Sequence, residues 1–381
     1  MKICLVSDSY YPLPGGVTEH IHHLAKELRK MGHTVIILTA HYPQGSERDG
    51  EGVHRVGRSV LVPINQSYAA ITIGREVVRE VRDFLYAEAF DIVHTHGPLA
   101  PTLPLLALWY SNCVNIATFH AARERTPQYA MLSWALRGLF RRIDGRIAVS
   151  EVARQSVARY FPGDYTIIPN GVDTKRFRPD VASIKHYSDG KPRILFLGRF
   201  DPRKGLPYLL RAMPEVLRAI PEARLIVVGG GRLRSRLEAS VPRMAKSAIE
   251  FVGQVPPDMV ARYFTSVDVF CSPAIERESF GIILLEAMAS GTPVVAFDNP
   301  GYRGVINHRD DGLLVENKNC SALAASLIEV LKDPCLRASL RARGLEEASQ
   351  FCWPRVVGEV ESFYRHVMEK RIGIETARPA A

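Results

Sequence analysis

No apolar run in this chain of 381 residues approaches the roughly 20 that a membrane-spanning helix requires. The short apolar run between Lys2 and Asp8 does not read as a secretory leader either, so the protein is expected in the cytoplasm. Cysteine is sparse. The six residues Cys4, Cys113, Cys271, Cys320, Cys335 and Cys352 are scattered, with no close pair at zinc or redox spacing, and read as reduced thiols that are mostly buried. Basic residues are not interleaved with aromatics in a nucleic-acid platform, which argues against nucleic acid as a partner.

What remains is a globular composition, 46% hydrophobic, in a chain too long for one ordinary core, so two domains are expected. The net charge of +9 favours an anionic partner such as a nucleotide sugar or an acidic membrane surface. Charge alone does not choose between them.

The pattern along the chain is that of an α/β protein. Lys2 to Ser7 is a strand-length apolar run, Gly15-Gly16 a turn, Val17 to Met31 a helix stopped by Gly32-His33, and Thr34 to Thr39 a second strand. Such a βαβ unit builds parallel sheets. The glycine pair sits where helix N-terminal amides meet a phosphate or sugar, although a plain tight turn explains it equally well. Strands follow at Ile92 to His94, Asn115 to Phe119 and Ile147 to Val149. Ligands of parallel sheets bind at the carboxyl ends of strands, where His94, His96 and His120 fall. His94 and His96 have the i, i+2 spacing of metal ligands but no evident third, which favours hydrogen-bonding roles; His120 is the stronger site candidate.

Two segments read as surfaces for an anionic membrane. Gly74 to Phe84 places Arg75, Arg79 and Arg82 on one helical face, with Val77, Val78, Val81 and Phe84 directed elsewhere. The stretch from Tyr129 to Arg142 mixes Trp134, Leu139 and Phe140 with arginine. Core helices with solvated cationic faces are the alternative in both cases.

Ile167-Ile168-Pro169-Asn170-Gly171-Val172-Asp173 ends the first series, and the domain boundary is placed at 172/173. A second βα series begins at Arg193 to Leu197, whose following loop carries Arg199 and Lys204, two cations suited to a diphosphate. The stretch from Glu276 to Ala296 organises the rest. Ile282 to Leu285, ended by Ser290-Gly291 and Pro293, reads as a short buried helix, with Glu278 in the loop before it and Glu286 within it. Amides of Phe280, Gly281 and Ile282 at its start would donate to an anion or a hydroxyl-rich ligand. An ordinary capped helix with solvated acids has the same spacing. The last helix is expected from about Pro354 to Arg371, with residues 372–381 a frayed tail.

Taken together, Gly15-Gly16-Val17, Ile168-Pro169-Asn170-Gly171-Val172-Asp173, Gly198-Arg199-Phe200 with Arg203-Lys204-Gly205, and Glu278-Ser-Phe280-Gly281 through Glu286 to Gly291-Thr-Pro293 resemble family 4 retaining glycosyltransferases over nearly the whole chain. Pro14-Gly-Gly-Val17, Ala117-Thr-Phe-His120, Gly145-Arg-Ile-Ala-Val-Ser150 and Glu278-Ser-Phe-Gly-Ile282 are similar to the bacterial phosphatidylinositol mannosyltransferases, while the preceding loop, Ser7-Asp8-Ser9-Tyr10-Tyr11, departs from theirs.

The resemblance implies the GT-B architecture, two Rossmann-like domains (1–172 and 173–352) facing across a cleft, with the helix 353–371 crossing back to the first. It implies that Arg199 and Lys204 hold the donor diphosphate, that Glu278 and the amides of Phe280, Gly281 and Ile282 hold the donor sugar, and that Glu286 takes the ribose. Gly16 and His120 approach from the other side. The family transfers sugar with retention and without a metal or cofactor, and this chain has no Asp-x-Asp element that would hold one. The expected activity is mannosyl transfer from GDP-mannose to a phosphoinositide-like lipid, by an enzyme peripheral to the inner face of the membrane. A UDP-sugar glucosyltransferase for another lipid or a soluble acceptor, and a non-catalytic nucleotide-sugar-binding protein, are the alternatives.

Overall fold

The computed structural model describes residues 1–13, 15–42, 52–64, 67–98, 102–121 and 136–376. Pro14 and residues 129–135 of the arginine-aromatic segment lie outside the described residues. The chain forms two compact units, Met1–Asn170 with Trp353–Ala381, and Gly171–Cys352.

The first unit is built on an eight-stranded sheet: β1 (Lys2–Val6), β2 (Thr34–His41), β3 (Val53–Ile64), β4 (Ser67–Ile73), β5 (Ile92–His96), β6 (Val114–Phe119), β7 (Gly145–Ala148) and β8 (Thr166–Ile167). Their order is β4-β3-β2-β1-β5-β6-β7-β8, parallel except for the β3/β4 pair at one edge. Ile3 to Val6 are fully buried, as expected of a strand covered on both faces. The helix Trp353–Thr376 belongs to this unit. Val356, Val357, Val360, Tyr364 and Val367 form its buried stripe, at helical spacing, in one cluster with Ile21, Leu24 and Leu28 of the helix Gly16–Lys30.

The second unit holds β9 (Arg193–Leu197), β10 (Arg224–Val228), β11 (Ile249–Gly253), β12 (Val269–Ser272), β13 (Val294–Phe297) and β14 (Leu313–Val315), all parallel, in the order β11-β10-β9-β12-β13-β14. Alternation along the strands feeds two cores. Ile194, Phe196, Leu225, Val227, Val269, Cys271, Val295 and Phe297 join the helices Leu206–Ala219 and Cys320–Lys332 on one face. Leu195, Ile226, Phe270, Val294 and Ala296 join the helix Ile282–Ala289 on the other. Both units are Rossmann-like, and each sheet reverses its winding beside its first strand, between β1 and β5 and between β9 and β12.

Two segments differ from the membrane-surface reading, the second in favour of its core alternative, and the last helix runs to Thr376, past the expected end at Arg371. The cationic helix begins at Val77, with Glu76 as its N-cap, so Arg75 precedes it. Val78 is not buried with Val77, Val81 and Phe84 but stands 47% exposed, because a step of 100° per residue puts it on the face of Arg82. In the arginine-aromatic segment, Leu139 and Phe140 are core residues, and Phe140 stacks on Phe161 with ring centroids 3.7 Å apart. The helix Pro334–Gln350 was not anticipated, since only Leu340, Gly344 and Ala348 form its buried stripe. Its start is conventional: Asp333 accepts from the amides of Cys335 and Leu336 ahead of Pro334.

Candidate active site

The loops that leave the carboxyl ends of β9 and β12 meet where the second sheet changes direction. The β9 loop tightens into a single turn at Pro202–Lys204 and ends at Gly205, whose φ of 71° is left-handed. A Cβ there would lie 1.7 Å from the Pro273 carbonyl oxygen, so only glycine lets the two loops approach this closely. The Ile275 amide donates to the Arg203 carbonyl at 2.9 Å and pins them together.

This approach assembles a chain of alternating charge. Lys204 Nζ and Arg203 Nη1 both donate to Glu278 Oε1, at 2.8 and 3.0 Å. Arg203 Nε lies 3.8 Å from Asp201 Oδ2, and Arg199 Nη2 lies 3.1 Å from the same oxygen. The Glu278, Arg203 and Lys204 side chains retain a fifth or less of their exposure, whereas Arg199 keeps 54%. Three cations against two carboxylates leave the cluster positive, in a setting where water screens it only partly. Lys204 and Glu278 are therefore brought together. Arg199 instead faces Asp201, and Arg203, not singled out from sequence, shares Glu278.

The helix Ile282–Ala289 opens at Gly281 without a side-chain cap. The Leu284 amide returns to the Gly281 carbonyl, and among the described residues the amides of Phe280, Gly281 and Ile282 donate to no backbone oxygen. They are the donors that a helix start leaves for a ligand. The Phe280 ring is buried and meets Phe351 edge-on at 5.7 Å, so this residue offers its backbone rather than its side chain. Glu286 is half-buried within the helix. Behind the site, Tyr302 Oη and Ser272 Oγ lie 2.7 Å apart, and burial raises the Tyr302 phenol well above its ordinary range. Gly301 packs so closely on the Glu278 backbone that a Cβ would come within 2.1 Å of its carbonyl oxygen.

The carboxyl edge of the first sheet collects histidines. His96 ends β5, His120 follows β6, and His20 lies near the start of the helix Gly16–Lys30, whose first residue, Gly16, is exposed. His96 Nδ1 and His120 Nε2 are 3.1 Å apart, and His20 Nδ1 lies 2.9 Å from Asn170 Oδ1. His94 is spoken for on both nitrogens, by Tyr364 Oη at 2.6 Å and Thr118 Oγ1 at 2.7 Å. Burial is the leading cause that lowers all four: His20 to about 4, His94 to about 3, and His96 and His120 well below the ordinary imidazole value. Asp8, just past β1, is also buried. Its Oδ1 accepts from Thr72 Oγ1 at 2.5 Å and Thr102 Oγ1 at 3.2 Å, and burial pushes the carboxyl up to about 6.

Residues 180–347 match the family model described as Glycosyl transferases group 1, and residues 14–176 match Glycosyltransferase Family 4. A phosphatidyl-myo-inositol mannosyltransferase of Mycolicibacterium smegmatis is 35% identical over 381 residues, which is all of this chain and 97% of the relative. The chain belongs to the family 4 glycosyltransferases. It is an enzyme, a hexosyltransferase, and its two Rossmann-like units are those of the GT-B fold. An alpha-monoglucosyldiacylglycerol synthase of Streptococcus pneumoniae is 26% identical over 357 residues, 87% of the glycosyltransferase described here and 78% of that relative. A glycosyltransferase structure from Rickettsia africae superposes with a TM-score of 0.79 at 20% identity, over 96% of this chain and 98% of that one. Among the described residues no helix is long and apolar enough to cross a membrane.

Proposed function

We propose that this glycosyltransferase moves a mannosyl group from GDP-mannose to a phosphoinositide-like lipid, with retention of configuration and without a divalent metal. The observation that carries the donor half is the convergence of Lys204 and Arg203 on Glu278 at the switch point of the second sheet. A nucleoside diphosphate sugar suits such a site. Its diphosphate takes the positive charge of Arg199, Arg203 and Lys204, its hydroxyls take Glu278 and the amides of Phe280, Gly281 and Ile282, and its ribose takes Glu286. The choice of mannose and of an inositol lipid rests on the M. smegmatis relative.

In the reaction, the bond from the anomeric carbon to the diphosphate oxygen breaks as the acceptor hydroxyl attacks from the same face. The hydroxyl proton passes to the departing phosphate oxygen. The cations stabilise the negative charge that grows on that oxygen, which is the service a metal renders in other transferases, and Glu278 fixes the sugar. His120, neutral at physiological pH, acts as a catalytic residue from the first unit, where Gly16 contributes to donor binding. Arg75, Arg79 and Arg82, all exposed, form with the exposed Val78 and Tyr86 of the same helical segment a cationic and apolar surface suited to the anionic inner face of the membrane.

The S. pneumoniae relative favours a second reading, glucosyl transfer to a diacylglycerol lipid, for which the sequence reading expects a UDP-sugar donor. A thermal-shift panel of GDP, UDP and ADP, each with and without its sugar, followed by turnover on phosphatidylinositol vesicles, separates the readings. A ligand at 100 times its Kd adds about 2.7 kcal/mol of stability. Stabilisation by GDP and GDP-mannose with mannosylated phosphatidylinositol as product is expected; stabilisation by UDP species alone selects the glucosyl reading. Donor binding without turnover on any lipid or soluble acceptor would leave a nucleotide-sugar-binding protein.

A further inference from the structure

One nitrogen from each of His20, His96 and His120 lies within 4.8 Å of the others, at the carboxyl edge of the first sheet. We propose that these three histidines form a binding site for a transition-metal ion of the zinc class, separate from the donor-binding residues of the second unit, and that its occupation inhibits transfer. Three atoms so spaced lie within about 2.8 Å of a common point, so side-chain rotations of less than about 1 Å reach the 2.0–2.1 Å of a zinc–imidazole bond.

The hydrogen bond of His20 suits ligation, and the 3.1 Å contact between His96 Nδ1 and His120 Nε2 is the one a metal would replace. Asn170 Oδ1 only accepts, so His20 carries its proton on Nδ1 and directs the Nε2 lone pair elsewhere. A carbonyl partner on the second nitrogen is what orients a metal-bound imidazole. His96 is 2% exposed, and among the described residues its buried Nε2 has no hydrogen-bond partner. His94 is excluded as a ligand by its bonds to Tyr364 and Thr118, but it backs His96 with a ring centroid separation of 4.3 Å. Sequence spacing shows only the His94/His96 pair; the ligands that complete the site come from another strand end and from a helix. A metal held there ties up His120, which the proposed reaction places among its catalytic residues.

The test uses the full chain without donor or acceptor, so a wrong sugar or lipid assignment does not affect it. Zinc is titrated, unbound metal is removed by dialysis, and bound metal is counted; Co(II) is then substituted and its visible absorption recorded. One equivalent of zinc and intense tetrahedral Co(II) bands that a chelator abolishes are expected. His20→Asn and His96→Asn should each bind at least about 100-fold more weakly, and Asn170→Ala, which spares all ligands, about 10- to 100-fold more weakly. Thermal melts identify any variant that fails to fold, and the wild-type Co(II) spectrum then decides. Less than a tenth of an equivalent of zinc, weak octahedral bands, or folded variants that bind like wild type would overturn the proposal.

Discussion

Lys204 Nζ lies 2.8 Å from Glu278 Oε1 although the residues are 74 positions apart, because they occupy the loops that follow the adjacent strands β9 and β12. In the proposed reaction the contact ties the group that would neutralise a leaving diphosphate to the group that would hold the sugar. Lys204→Ala, Arg199→Ala and Glu278→Gln are each expected to lower turnover at saturating donor by about 100-fold or more. Steady-state kinetics with the preferred donor checks this, and normal turnover in the two cation variants would remove the electrostatic mechanism.

Gly301→Ala probes the support of that contact. A Cβ 2.1 Å from the Glu278 carbonyl oxygen must displace the loop, since backbone cannot yield as a flexible side chain does. Turnover should fall at least tenfold while far-UV circular dichroism stays native. Gly205→Ala adds a left-handed φ to a clash with Pro273, and its melting temperature should fall as well.

Stability should decline on acidification. The buried histidines have folded pKa values below the unfolded 6.5, about 4 for His20 and about 3 for His94, so below pH 6.5 the unfolded chain binds more protons than the folded one. The loss approaches about 1.4 kcal/mol per pH unit for each such histidine. Asp8, raised to about 6, acts in the opposite sense: its contribution is complete below the unfolded value near 3.9 and is lost as pH rises through 6. Four histidines outweigh one carboxyl. Chemical denaturation between pH 7 and 4.5 should show falling stability, with a shallower slope in His94→Gln.

Replacing Arg75, Arg79 and Arg82 together by glutamine should weaken binding to anionic vesicles. At about 1 kcal/mol per arginine near a charged surface, the triple variant loses on the order of 100-fold in affinity. Arg79 and Arg82 are exposed and pair with Glu76 and Asp83 only at the surface, so they remain available to lipid phosphate. Cosedimentation at low and high salt measures the effect, and unchanged binding at low salt would place the membrane contact elsewhere.

Much of this was legible in the chain itself. Apolar strand runs, glycine stops and the 282–289 helix follow from local periodicity and breakers, which act over a few residues, and the βα alternation they create selects a parallel, doubly wound sheet. Less visible were β3 and β4, the helix Pro334–Gln350 with its thin stripe of Leu340, Gly344 and Ala348, and the burial of Leu139 and Phe140. Composition does not tell an exposed aromatic from one that a neighbouring element covers.

The sequence by itself therefore determined the two α/β units, the family, and the loops that carry Lys204, Glu278 and His120. Only the tertiary structure decided which charges meet: that Arg203 joins Lys204 on Glu278, that Arg199 faces Asp201, and that His20 rather than His94 completes a triad with His96 and His120. Periodicity assigns a residue to an element, but strand order and the close approach of backbone at Gly205 set distances between residues as far apart in sequence as Lys204 and Glu278, and those distances govern the electrostatics.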